Sequence, residues 1–174
     1  MTAEQEGVRG FCPAVRVAGT QVGDHAWKGA GAMRYDEMIR KVQILAHLPD
    51  RESAQSAIRS VLQTLAERLP AGLADHLAAQ LPHDAAAHIR ATTESVTSEG
   101  RPREVGEPFD LTAFAGRVAV RAETTEDTAL EYCAVVLEVL DAAVSPEEMR
   151  KLTDALPADI RELSPAGRAT EPPS

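Results

Sequence analysis

Cysteines, histidines and paired carboxylates are the residue types in this chain that invite chemistry. A nucleophilic thiolate needs a cationic neighbour or a helix N-terminus, and some exposure. Cys133 has Glu131, Tyr132 and Ala134 beside it and falls on an apolar helical stripe, so it reads as a small buried hydrophobe. Cys12 stands in a glycine-rich stretch without organised partners. Histidine ligands to zinc recur at i, i+4 on a helix or in tight knuckles. His47, His76, His83 and His88 gather in the first half, yet no two are three or four residues apart, and Pro82 separates His76 from His83. They read as surface or cap residues, and Asp75 beside His76 points away from it on a helix. Asp36 and Asp110 each follow an aromatic, Tyr35 and Phe109, at a helix entrance. The expected role is an N-cap with the aromatic as a staple, and a functional pair is the rival. Glu126-Asp127, Glu147-Glu148 and Asp159 sit at helix starts, where carboxylates complement the dipole. Gly29-Ala30-Gly31 has no strand before it, so it is no phosphate loop. The sequence therefore assigns no catalytic, cofactor-binding or metal-ligating residue, and no cofactor is expected.

One segment points outward. The stretch 126–144 carries Leu130, Val135 and Val139 in addition to its core stripe, and its polar face shrinks to Glu131, Glu138 and Asp141. The matching stretch in the first half keeps Arg51, Gln55, Arg59, Gln63 and Glu67. A helix apolar nearly all round is enclosed by neighbours or meets a partner. Leu130, Val135 and Val139 are thus either part of a central spine or an interaction surface.

The elements that must position these residues are helical. The 174 residues are 44% hydrophobic but only 3% aromatic, which leaves Leu, Val, Ile and Ala for the interior and favours helix over sheet. No apolar run approaches the ~20 residues a bilayer needs, so no membrane span is expected. The first thirty residues show no secretory signal, and two cysteines make no disulfide framework, so a reducing cytoplasm is the expected location. The net charge is −9, with −7 of it in residues 109–164, and no segment clusters basic residues. Nucleic acid and anionic membrane are therefore disfavoured as partners.

Residues 1–34 hold six of the eleven glycines without a sustained apolar period, and are expected to form a flexible extension. A short binding peptide around Trp27 and Lys28 is the rival reading. Residues 91–108, rich in Thr, Ser, Glu, Gly and Pro, are expected to be a linker, and 165–174 a disordered tail. Between them, residues 35–90 and 109–164 repeat one design. Ile58, Val61, Leu62, Leu65 and Leu69 meet Cys133, Val136, Leu137, Leu140 and Val144 at a constant offset of 75, and Leu77 and Leu81 meet Leu152 and Leu156. The spacing is that of one helix face. Met38, Val42 and Leu45 follow the same rule, as do Phe114, Val118 and Arg121, where the arginine departs from it.

Asp50 and Thr124 or Thr125 suit N-caps. Ser145-Pro146-Glu147-Glu148 reads as a capping box with proline at its first helical position. Pro70 and the Leu81-Pro82 and Leu156-Pro157 pairs stop helices. Each unit then has helices at about 35–47, 51–69 and 71–81, or 109–122, 126–144 and 146–156, and a short fourth turn at 84–90 or 158–163. The expected fold is all-α: two tandem, similar helical units packed as a duplicated bundle.

The long Val61-Leu62-Gln63-Thr64-Leu65-Ala66-Glu67-Arg68-Leu69-Pro70 stretch and the Leu77-Ala78-Ala79-Gln80-Leu81-Pro82 ending, with Val136-Leu137-Glu138-Val139-Leu140 in the second half, make the chain specific. It resembles the bacterial domain-of-unknown-function family numbered 2267 over about residues 35–163. The resemblance implies a duplicated helical fold and brings no catalytic residues. The expected role is a cytoplasmic protein-interaction or regulatory module, acting on an unidentified protein partner or by self-association. A small-ligand site between the units is the alternative, and an enzyme with Asp36, Asp110 and the first-unit histidines converging from both units is the third.

Overall fold

The computed structural model describes residues 33–98 and 106–165, and among these every regular element is a helix. In chain order they are α1 (Tyr35–Leu45), α2 (Arg51–Arg68), α3 (Ala71–Gln80), α4 (His83–Ser98), α5 (Leu111–Ala122), α6 (Glu126–Ala143), α7 (Pro146–Ala155) and α8 (Ala158–Arg161). The expected extension 1–34, apart from Met33 and Arg34, and the tail after Pro165 lie outside the described residues. None of these helices is long and apolar enough to cross a membrane.

Side chains at the helix starts satisfy the first free N–H groups. Asp50 accepts from the Ser53 amide at 2.7 Å, Asp110 from Ala113 at 2.9 Å, and Thr125 from Thr128 at 3.3 Å. Asp36 does not share this role. It lies inside the first turn of α1, whose N-cap is Arg34 with no side-chain bond, and it pairs with Arg51 instead. The capping box is also only half made. Ser145 Oγ accepts from the Glu148 amide at 3.3 Å, but the Ser145 amide donates to Gln80 Oε1 on α3, at 2.7 Å, and not to Glu148. Helices α1 and α5 both end near a left-handed residue, His47 (φ 49°) and Glu123 (φ 53°).

The fourth helix differs from expectation. In place of a short turn at 84–90, α4 runs for 16 residues through the start of the expected linker 91–108. Thr92, Thr93 and Ser95 do not break it, because their hydroxyls bond within the helix. Thr92 donates to the His88 carbonyl at 3.0 Å and Ser95 to that of Ala91 at 2.7 Å. The remainder of that linker returns at Gly106, which lies against the end of α2. A Cβ there would fall 1.8 Å from the Arg68 carbonyl oxygen, and the Glu107 amide donates to the Glu67 carbonyl at 3.0 Å.

Helix α2 is enclosed by α1, α4, α5 and α6, and α6 by α1, α2, α5 and α7. The halves therefore interleave: α1 rests on both α2 and α6, and so does α5. The two stripes meet in one interior. Ile58, Val61, Leu62, Leu65, Leu69, Cys133, Val136, Leu137 and Leu140 have no exposed surface. Burying each large aliphatic side chain stabilises by about 1.5–3 kcal/mol, which is why so narrow a palette suffices. Val135 and Val139 belong to this interior as well, with 2% of Val139 exposed, and Leu130 is half-buried.

A candidate binding face on the second helix

The residues of α2 that do not enter the core, among them Ser53, Gln55, Ser56 and Arg59, form a polar surface. Two clefts adjoin it. One, of about 450 Å³, lies between α2 and the α5–α6 turn, and its wall includes Ser53, Gln55, Ser56 and Arg59 opposite Arg121, Glu123 and Tyr132. The other, of about 360 Å³, lies between α1, α2 and α4 and is lined by Tyr35, Gln55, Arg59, Asp84, Ala87 and His88. Gln55 and Arg59 belong to both, so they stand on the ridge between them.

The second cleft contains a hydroxyl–imidazole pair, with Tyr35 Oη 3.3 Å from His88 Nε2. Partial burial pushes the Tyr35 hydroxyl up and the His88 imidazole down from their usual ranges. The Arg59 charge lowers both, and Asp84 raises both. His88 is therefore a neutral ring near pH 7. Between the α1 and α2 starts, the Arg51 bond to Asp36 holds that carboxyl below the usual carboxylate range. Arg59 itself is exposed and, among the described residues, has neither a hydrogen bond nor an ion pair.

The far wall is braced by a polar seam between the halves. Glu67 accepts from Arg117 at 2.8 Å and also from Arg121; Arg121 reaches Thr64 Oγ1 at 2.6 Å; and Arg117 holds Glu107 at 2.6 Å while lying 4.3 Å above the Phe109 ring. The departure of Arg121 from its apolar stripe thus has a cause: it meets a threonine and a carboxylate, not a core. That departure was the signal in the sequence for the seam. Nothing in the sequence placed Tyr35, 53 residues away, against His88.

The other candidates take separate places. Cys133 is fully buried, and burial pushes its thiol up to about 12, which makes it inert at neutral pH. His76 lies 3.9 Å from Glu148 across α3 and α7, and His47 and His83 are exposed. Asp36 and Asp110 are engaged by Arg51 and by the α5 cap.

No curated protein matches the chain. Residues 35–163, well over half of it, match the model of a family described as an uncharacterized conserved protein, DUF2267, so the chain belongs to the DUF2267 family.

Proposed function

We propose that this protein is a non-catalytic protein-interaction module of regulatory character in the cytoplasm, and that its partner seats across the outer face of α2. One observation carries the reading: Arg59, an exposed cation without a counter-charge among the described residues, stands on the ridge between two polar clefts. An unsatisfied charge flanked by open grooves suits a protein segment lying across it, since the segment supplies the counter-charge and fills both grooves. The net charge of −9 disfavours nucleic acid or anionic lipid as that partner. The reading also takes residues 35–90 and 109–164 as tandem copies of one helical unit, of which the first kept the polar face. A second copy of the chain is the rival occupant.

Affinity capture with the full chain, quantified against an Arg59→Glu variant, tests the proposal. The expected result is a protein enriched by the parent chain and lost with the variant. Identical protein profiles from the two would overturn it, and light scattering at rising concentration checks self-association.

A small polar ligand is the second reading, favoured by the cleft of about 450 Å³ between α2 and the α5–α6 turn, a volume within the range of ligand sites. In that case single metabolites raise the melting temperature, and Arg59→Glu abolishes the rise.

A further inference from the structure

The charges around the α1–α2–α4 cleft are not balanced alike. Asp84 lies in the first turn of α4 and Glu52 in the first turn of α2, where the helix dipole stabilises a carboxylate. Arg59 is in the middle of α2, beyond the reach of either helix end, and no side chain among the described residues answers it. The unmet charge of the cleft is therefore the cation.

We propose that this cleft binds one carboxylate group, with the Arg59 guanidinium as its counter-charge and the Gln55 amide as the neighbouring donor. Guanidinium geometry matches a carboxylate in a forked pair of hydrogen bonds. Asp84 on the cleft wall, with Glu52 and Glu123 in the adjoining cleft, selects a single negative charge over a phosphate dianion. The carboxylate belongs to an acidic side chain of a partner segment, because the clefts continue on both sides of Arg59 and leave room for chain in each direction. This assignment rests on α2 being the binding face.

The site carries its own reporter. The groups facing the His88 ring are Asp84 on its own helix, Tyr35 on α1 and Arg59 on α2, with Arg51 acting on Tyr35. Arg59 holds the His88 proton affinity down, so a carboxylate bound to Arg59 relieves that effect and makes His88 easier to protonate.

The test is an NMR titration of the full chain at constant ionic strength, following the Arg59 side chain and the His88 ring. The probes are acetate, inorganic phosphate and the blocked peptide acetyl-Gly-Glu-Gly-amide. Saturable shifts at both residues, an upward move of the His88 titration midpoint, and peptide binding at least ~10-fold tighter than acetate are expected. Arg59→Gln should remove the response without changing the melting temperature. Phosphate binding as tightly as acetate, or a response that survives in Arg59→Gln, would overturn the carboxylate assignment. Equal affinity for acetate and peptide would overturn the partner segment as its source. If neither binds while Arg59→Glu still loses the captured partner, the carboxylate fails and the binding face stands.

Discussion

Helices α2 and α6 are each 18 residues long, and a constant offset lays one residue by residue over the other. Their inner faces are alike, with Ile58 and Cys133, Leu62 and Leu137, and Leu65 and Leu140 all fully buried. Their other faces differ position by position. Where α2 has Gln55, Arg59, Ser60 and Thr64, α6 has Leu130, Ala134, Val135 and Val139. The cause lies in the neighbours. The α5 helix brings Arg121 to Thr64, so the α2–α5 contact is a polar seam, whereas Val135 and Val139, the α6 positions that answer Ser60 and Thr64, are buried in the apolar core. Helix α2 keeps a broad polar side with two clefts beside it, and α6 keeps a narrower exposed one of Glu131, Glu138 and Asp141.

Substitutions can break or sharpen this comparison. The largest effect belongs to what the two helices share. Ile58→Asp and Cys133→Asp each bury an unpaired charge, and both should lose the cooperative melting transition, whereas Cys133→Ala costs about 1 kcal/mol. Unequal damage from the two aspartates would separate the inner faces. Next is the seam. Glu67→Ala leaves Arg117 and Arg121, both part-buried, short of a partner and should cost about 1–3 kcal/mol in denaturant unfolding. Converting the seam to the α6 type is the sharper form of the same test. Thr64→Val and Arg121→Leu each destabilise, while the double variant recovers most of the loss, because a replaced polar contact costs less than a broken one.

The caps come third: Asp50→Ala and Thr125→Ala should each cost about 1 kcal/mol, as read from urea midpoints. The smallest effect is a pH slope. The His88 pKa lies below its usual 6.5 in the folded state, so the unfolded chain binds more protons as the solution is acidified through that value. Stability should therefore be fully present above about pH 6.5 and fall below it until the folded-state ring also titrates. His88→Gln should flatten that part of the stability curve.

The helices were legible because their signals are local. Apolar spacing along 51–69 and 126–144, the capping residues Asp50, Thr125 and Ser145, and the Leu-Pro stops all act within a few residues of themselves. The long α4 was missed because Thr and Ser favour turns in isolation, and only their bonds back to carbonyls one turn earlier keep them helical. The half-made capping box was missed because Gln80, 65 residues away, takes the Ser145 amide. The candidate site was the least legible part. Its polar residues read as an ordinary solvated face until Tyr35 and His88 were brought to its edge.

Sequence alone determined that the chain is helical, where its apolar faces lie and to which family it belongs, since periodicity and turn chemistry depend only on near neighbours. The tertiary structure alone decided which faces are shared between the halves, that Val135 and Val139 are interior, and that Arg59 stands between two clefts with no answering side chain among the described residues. Those outcomes depend on which helix lies across which, and that is set by the joint fit of side chains distant along the chain.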